Sequence, residues 1–478
     1  MASDSFQLVV LGGGPGGYAA AFLGADLGLR TALVDPEENP GGVCLYRGCI
    51  PSKALLHVAK LLHEARAAEA MGVQFGTPRV DVDALRAWKD GVVRRLTAGV
   101  GTLAKSRKVE YIRGRGRFDD AHTMSVDLVE GGSRTVSFEH AIVATGSLPA
   151  TLPMFDASSQ RVLDSTGALA LARVPATLLV VGGGYIGLEL GSVYAALGAK
   201  VSVVEMMPGL VPGADRDLVN VLEKSAGKNF ERVMLETKVV AATEDARGVH
   251  VTFEGKAAGT ALYDSVLVAV GRKPNARGIG LENTRARVNA RGFVEVDAQR
   301  RTAEPSIFAI GDVVGEPMLA HKASHEGRVA AEVIAGQKVA FEPHAIPAVM
   351  FTDPEIAWCG LTETQAKERG QEVDVVKFPW GASGRAMSIE RTDGLTKLIV
   401  DPKTERLLGA GVAGAGAGEL IAECVLAIEM GALVADVKLT IHPHPTLSET
   451  VMEAAEMFYG QSTHVYRPRR KRPTAGRE

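Results

Sequence analysis

The chain has 478 residues, 46% hydrophobic and 23% charged; that is too long for one core and predicts three or four units of roughly 100–200 residues. A net charge of −3 gives no field to hold nucleic acid or an anionic membrane, and four cysteines make no secreted disulfide framework. The first folded motif begins by Gln7 and leaves no room for a targeting peptide, so a cytoplasmic or already processed protein is expected.

Residues 7–35, QLVVLGGGPGGYAAAFLGADLGLRTALVD, read as a strand, a Gly-x-Gly-x-x-Gly turn, a helix closed by Leu-Gly, and a strand ending in an acid. Gly12 permits the tight turn, Gly14 lets a pyrophosphate approach the backbone, and Gly17 lets helix and strand pack closely. The helix N-terminus offers free N–H groups and its positive dipole end to phosphate. Asp35 is placed to accept hydrogen bonds from a ribose diol.

Next comes Gly41-Gly-Val-Cys44-Leu-Tyr-Arg-Gly-Cys49-Ile-Pro-Ser-Lys53, running into a predicted helix through Leu62. Helix geometry separates residues i and i+5 by about 8–9 Å, whereas a disulfide needs Cα atoms within about 7 Å. A Cys44–Cys49 bond therefore requires a distorted turn, which Gly48 and Pro51 permit. So small a loop gives little entropic stabilisation, and strained, accessible disulfides are the labile and catalytic ones. Zinc binding and two unrelated buried thiols are the competing readings, although no second Cys/His pair has zinc-ligand spacing. Cys359 and Cys424 are isolated in apolar surroundings and expected to be reduced core residues.

Ala141-Ile-Val-Ala-Thr145-Gly146 is a strand entering a turn. Residues 178–205, LLVVGGGYIGLELGSVYAALGAKVSVVE, then repeat the first module in register: Gly12 to Asp35 and Gly182 to Glu205 both span 23 positions. Gly182, Gly184 and Gly187 take the three glycine roles and Glu205 the ribose contact. A carboxylate there would repel a 2′-phosphate, and Met206 to Asp215 offers no Lys or Arg to hold one, so NAD is predicted over NADP.

Val266-Leu-Val-Ala-Val-Gly271, followed by Arg272-Lys-Pro-Asn275, repeats the shape of 141–146. Ser306-Ile-Phe-Ala-Ile-Gly-Asp312 ends an apolar strand in an acid, either a helix cap or a ligand contact. The apolar stretch Gly418 to Ala435 is broken by Glu419, Glu423 and Glu429 and cannot cross about 30 Å of hydrocarbon. Thiols attack as thiolates and need a base, and Ile441-His-Pro-His444-Pro-Thr-Leu-Ser-Glu449 supplies a candidate. Glu449 can orient the His444 imidazole and stabilise its charge; by spacing alone, paired histidines in a Pro-rich loop are more often structural or weakly metal-binding. The one charge run, Arg467, Arg469, Arg470, Lys471 and Arg472, reads as a solvated tail.

In order from Leu8 to about Tyr459, the segments GGGPGGY, GGVCLYRGCIPSKALLH, GGGYIGLE, IFAIGDVVGEPMLAHKASHEG and IHPHPTLSE resemble one family. It is the dihydrolipoamide dehydrogenases, among the FAD-dependent pyridine nucleotide–disulphide oxidoreductases. The resemblance implies an α/β fold with two Rossmann-like dinucleotide-binding domains, for FAD and NAD, and a C-terminal α+β dimerisation domain. Its boundaries fall at 1–149 for FAD and the redox disulfide, 150–277 for NAD, 278–346 for a central domain completing the FAD site, 347–465 for the interface, and 466–478 for the basic tail.

The resemblance further implies that Cys44 exchanges with substrate, that Cys49 faces the flavin, and that Lys53 and Glu189 form an ion pair beside flavin N5. The FAD set is Gly12, Gly14, Gly17, Asp35, Lys53, Thr145, Gly146, Asp312, Ala320 and His321. The NAD set is Gly182, Gly184, Tyr185, Gly187, Glu205 and Gly271, with Tyr185 gating the nicotinamide pocket. His444 and Glu449 become the base and its orienter, reaching the disulfide of the other subunit of an obligate homodimer. No metal is expected. The implied reaction reoxidises protein-bound dihydrolipoamide and passes a hydride to NAD. The implied partner is the lipoyl-bearing acyltransferase of a 2-oxoacid dehydrogenase complex or the lipoyl protein of glycine cleavage, with neither nucleic acid nor membrane.

One position departs from the pattern. Tyr46 stands where members commonly carry Asn, and it is expected beside the disulfide, where its bulk would alter access or flavin contact. Among rivals, glutathione reductases usually carry Lys at the position of Ser52 and prefer NADPH, which Glu205 disfavours. Mercuric reductases carry a C-terminal cysteine pair, and no cysteine follows Cys424. An assembly subunit or redox sensor without turnover would not need the whole cysteine, lysine and histidine set.

Overall fold

The computed structural model describes residues 4–466; the basic run from Arg467 to Arg472 lies outside the described residues. Strand Ser5–Leu11 pairs in parallel with Thr31–Asp35 on one side and Ser133–Val143 on the other. Leu8, Val9, Val10 and all of Thr31–Asp35 are buried, the continuous apolar run of parallel strands covered on both faces. Glu110–Phe118 extends this sheet beyond Thr31–Asp35, then continues into an antiparallel meander with Thr123–Leu128 and Ser133–Val143. The last strand comes from far along the chain: Ile307–Ala309 pairs in parallel with Ser133–Val143. Helix Ala320–Ile334 lies against helix Pro15–Asp26 so closely that a Cβ on Gly327 would sit 2.5 Å from the Gly16 carbonyl oxygen.

The second module repeats this plan. Thr177–Val181 lies between Lys200–Val204 and Ser265–Val268, all parallel, with Arg232–Met234 and Val162–Leu163 at the edges. A three-stranded antiparallel sheet, Thr237–Asp245, Gly248–Gly255 and Gly259–Tyr263, sends Val251 and Phe253 into the same core as Leu179 and Val266. The chain enters and leaves the module through one antiparallel pair, Ser147–Pro149 against Arg272–Pro274.

The C-terminal unit is a five-stranded antiparallel sheet in the order Ala348–Met350, Glu355–Gly360, Leu407–Gly414, Leu395–Val400, Asp374–Pro379. Helices Ala417–Glu429 and Glu449–Phe458 share its core with Trp380, where Cys359 and Cys424 are buried free thiols as expected. No helix among the described residues is long and apolar enough to cross a membrane. A buried ion cluster ties this unit to the second module. Lys397, only 1% exposed, reaches Asp215 at 2.7 Å and Asp217 at 3.0 Å and also pairs with Glu363. Removing one member would leave charges buried without partners, so the contact resists separation. The architecture is thus the α/β pair of Rossmann-like modules with a C-terminal α+β unit.

Candidate active site

Two cavities meet at the seam between the modules. The smaller, about 610 Å³, is walled by the first glycine loop, the cysteine segment and the Gly311–Asp312 turn. The larger, about 1470 Å³, lies over the second glycine loop and reaches the C-terminal sheet. Tyr185 and Arg272 wall both.

Each glycine loop ends at a helix whose cap residue, Gly14 or Gly184, supplies no side-chain cap. A Cβ on Gly12 or Gly182 would meet a backbone oxygen at 2.3 or 2.5 Å, and one on Gly17 or Gly187 at 1.8 or 2.4 Å. On Gly14 or Gly184 it would meet nothing within 4 Å. Packing therefore dictates the outer glycines, while the middle ones leave backbone N–H groups bare toward the cavity, as a pyrophosphate requires. The acids brace both loops alike: Asp35 Oδ2 accepts from Gly13 N–H at 2.6 Å, and Glu205 Oε2 from Gly183 N–H at 2.7 Å. The two donor sets fit one dinucleotide each.

The cysteine segment folds as two helices, Gly42–Arg47 and Cys49–Ala67, broken at Gly48. A Cβ on Gly48 would sit 2.8 Å from the Val43 carbonyl oxygen and 3.1 Å from Cys44 Cα, so only glycine lets the chain double back there. Pro51 lies within the first turn of the second helix and does not distort it. Both cysteines reach the wall of the smaller cavity. They are free thiols here, the dithiol half of the expected redox pair; joining them requires removing two electrons. A hydrogen bond between the thiols is the largest influence on each. It draws Cys49 down to about 7, with the Lys53 ammonium assisting against burial, and together with burial holds Cys44 well above the usual thiol range.

Lys53 follows Cys49 by one helical turn, and its Nζ lies 2.7 Å from Glu189 Oε2. Glu189 is 3% exposed, and its second oxygen accepts the Phe351 N–H at 2.9 Å. The Phe351 ring lies under the Lys53 ammonium, 4.6 Å from Nζ to centroid. Nothing in the sequence pattern singles out Phe351, an aromatic in an aperiodic loop. Two further participants escaped notice. Ser147 donates to Asp312 Oδ2 at 2.5 Å, and Arg272 Nε donates to Ser147 Oγ at 2.7 Å, fastening the acid to the crossover strands. Thr145, Gly146 and Ala320 stand on the same cavity wall as Asp312, and Gly271 on that of the larger cavity. His321 is not brought to the smaller cavity; it is exposed, with Nε2 2.7 Å from the Pro347 carbonyl oxygen.

His444 Nδ1 lies 2.9 Å from Glu449 Oε1, and Glu449 Oε2 accepts the Thr446 N–H at 2.8 Å. Burial alone would raise the Glu449 carboxyl, but the Thr446 N–H and His444 outweigh it and hold the group below its ordinary value. The His444 side chain is 74% exposed, and it walls neither cavity of its own chain. His442 instead pairs with Glu423 at 2.6 Å.

Tyr46 is a second correction. Its hydroxyl donates to the Asn39 carbonyl oxygen and accepts the Asn39 N–H, both at 3.0 Å, and the side chain is absent from the cavity wall. Helical spacing turns residue 46 away from residue 44 by about 200°, so its bulk fastens the 39–41 loop instead of crowding the thiols. Tyr46→Asn should leave kcat within about twofold and lower stability by roughly 1–2 kcal/mol for the two lost hydrogen bonds, measured by steady-state assay and denaturant unfolding.

Residues 6–327 match the family described as pyridine nucleotide-disulphide oxidoreductase, and residues 346–455 match its dimerisation domain. The chain belongs to this family. It is 51% identical over 460 residues to a dihydrolipoyl dehydrogenase of Haemophilus influenzae, covering 96% of each chain. With a dihydrolipoyl dehydrogenase of Vibrio cholerae it shares 50% over 461 residues, covering 96% of this chain and 97% of that one. Among solved structures it is similar to LpdA from Mycobacterium tuberculosis, with a TM-score of 0.88 at 28% identity over 94% of this chain and 99% of that one. It is also similar to RclA, an HOCl-induced flavoprotein disulfide reductase of Escherichia coli, with a TM-score of 0.84 at 28% identity over 95% and 99% of the two chains. FAD and NAD are the cofactors of such pyridine nucleotide-disulphide oxidoreductases, and the two uncapped glycine loops suit them.

Proposed function

We infer that the chain is a dihydrolipoyl dehydrogenase, an NAD-dependent flavoprotein that takes two electrons from a protein-bound dihydrolipoyl group. The observation that carries the reading is one unbroken path. Cys44 and Cys49 wall a cavity whose far side, Tyr185 and Arg272, also walls the second. Bound FAD supplies the two-electron relay between the thiol pair and the nicotinamide of NAD. The first glycine loop, Asp35, Thr145, Gly146, Asp312 and Ala320 hold it; the second loop, Glu205 and Gly271 hold NAD, with Tyr185 between them.

The thiol chemistry belongs to the chain. With the cysteines oxidised, His444 takes the proton from a substrate thiol, whose sulfur attacks Cys44 Sγ; the Cys44–Cys49 bond breaks and Cys49 leaves as a thiolate. The second substrate thiol then attacks the substrate sulfur joined to Cys44, closing the substrate disulfide and releasing Cys44. Lys53 holds a positive charge beside the Cys49 thiolate, and Glu189 orients Lys53.

A homodimer is part of this reading, because His444 projects into solvent from its own chain. Leu426, Met430, Leu439 and Ile441 near it are 63%, 76%, 75% and 95% exposed, an apolar surface of the kind a partner subunit covers. The substrate arm belongs to a lipoyl-bearing acyltransferase or glycine-cleavage protein. The cytoplasm, where thiols such as Cys359 and Cys424 stay reduced, is the proposed location.

Purified enzyme given dihydrolipoamide and NAD should form NADH rapidly, and given glutathione disulfide and NADPH it should stay silent. Glutathione activity would overturn the substrate assignment. Silence in both assays with FAD bound would overturn the reading of an enzyme.

A further inference from the structure

We propose that Phe351 is a positioning residue for the thiol pair, one that fixes the Lys53 ammonium against Glu189 and so keeps a positive charge beside Cys49. The proposal rests on the redox role given to the two cysteines, though not on which dithiol they serve.

Phe351 opens the hairpin loop between strands Ala348–Met350 and Glu355–Gly360 of the C-terminal unit. It makes two separate contacts with one ion pair. Its backbone N–H holds Glu189 Oε1 at 2.9 Å, and its ring face lies 4.6 Å from Lys53 Nζ. Glu189, 3% exposed, thus divides its oxygens between a fixed donor and a mobile one. The mobile donor is Lys53, a flexible four-carbon side chain about a third exposed, and geometry at its base does not dictate where its charge rests. A ring face attracts an ammonium electrostatically and excludes water from one side of it. Phe351 supplies that face.

The loop is itself held from three directions. Asp353 pairs with Arg391 of the C-terminal unit and stands 3.8 Å from His63 Nδ1, on the helix that carries Cys49 and Lys53. The Asp353 carbonyl oxygen accepts from Ser225 Oγ of the second module at 2.8 Å. The ring therefore cannot drift from the ammonium without disturbing all three units.

The groups with the largest electrostatic effects on the thiols lie on four elements, and Arg47, Arg115 and Arg272 stand on the same cavity wall. Cys44 lies on the preceding helix, Tyr18 on Pro15–Asp26, Glu189 and Tyr185 on Tyr185–Ala196, and Lys53 on the cysteine helix itself; in the proposed dimer, the partner's His444 joins them. Lys53 is the cation that acts on both thiols. A positive charge favours the thiolate, so a loosened Lys53 moves the Cys49 titration upward, and thiolate is lost at pH values where the native protein keeps it.

The test uses chemically reduced holoenzyme and the pH dependence of iodoacetamide alkylation. Trypsin cleaves at Arg47, between the cysteines, so mass spectrometry assigns the two thiols separately. Phe351→Leu keeps bulk and N–H but removes the ring face; Phe351→Tyr keeps the face. The Cys49 midpoint should rise by about half to one pH unit over that of the native protein in Phe351→Leu and stay with the native protein in Phe351→Tyr. Phe351→Met makes the same comparison should Phe351→Leu fail to retain FAD. An aliphatic variant with the native midpoint overturns the proposal, as does an equal rise in Phe351→Tyr. Because no dithiol substrate enters the assay, failure of the substrate assignment leaves this result unchanged.

Discussion

Cys44→Ser should cut dihydrolipoamide-dependent NAD reduction by about three orders of magnitude or more, while FAD stays bound and NADH still reduces an artificial dye. Serine is close to the thiol in size, and Gly48, not the side chain of residue 44, sets the turn, since a Cβ on Gly48 would sit 3.1 Å from Cys44 Cα. What serine cannot do is form a bond to Cys49 that stores two electrons. The dye assay separates the two halves of the path: it needs the cavities that Tyr185 and Arg272 share but not the thiols. Retention of full dihydrolipoamide turnover would remove Cys44 from the mechanism, and loss of both activities would mean that the substitution damaged the cofactor site.

His444→Gln should lower dihydrolipoamide turnover by about 10²- to 10⁴-fold, the usual range for a positioned general base. Glutamine can keep a hydrogen bond to Glu449 but takes no proton. A mixing experiment tests which subunit supplies the base. Cys44→Ser chains unfolded and refolded together with His444→Gln chains give half heterodimers, each with one site built from two intact halves if the histidine crosses over. About a quarter of native activity should then return. Should the base act within its own chain, every site would carry a defect and nothing would return. The exposure of His444 and its absence from both cavity walls favour recovery.

Local chemistry made much of the molecule legible in sequence. The glycine spacing told of two strand–turn–helix modules because each glycine answers a short-range demand: a carbonyl oxygen at 1.8 Å from a Cβ on Gly17 permits no other residue. The pair Lys53–Glu189 came from a family resemblance, His444–Glu449 from the need of a thiol for a base as well as from that resemblance, and the structure brings both together. Long-range relations were hidden. Phe351 lies 162 positions from Glu189, and no periodicity links a hairpin loop to a distant helix. Ser147 reached Asp312 across 165 positions for the same reason. Tyr46 misled because proximity in sequence to Cys44 implied proximity to the reaction, whereas a helix separates neighbours by face.

Pro149 and Arg272 stand side by side in an antiparallel pair, and the Ala150 N–H donates to the Gly271 carbonyl oxygen at 3.0 Å. Everything between them leaves and returns through a single doorway, while the strands of the first sheet, Ser133–Val143 and Ile307–Ala309 among them, lie wholly outside it. At the level of the gene, one splice at that doorway replaces the intervening module without shifting the register of any strand around the thiols. Heredity can therefore exchange the module as a unit, provided the newcomer brings a carboxylate for Lys53 where Glu189 stands and others for Lys397 where Asp215 and Asp217 stand.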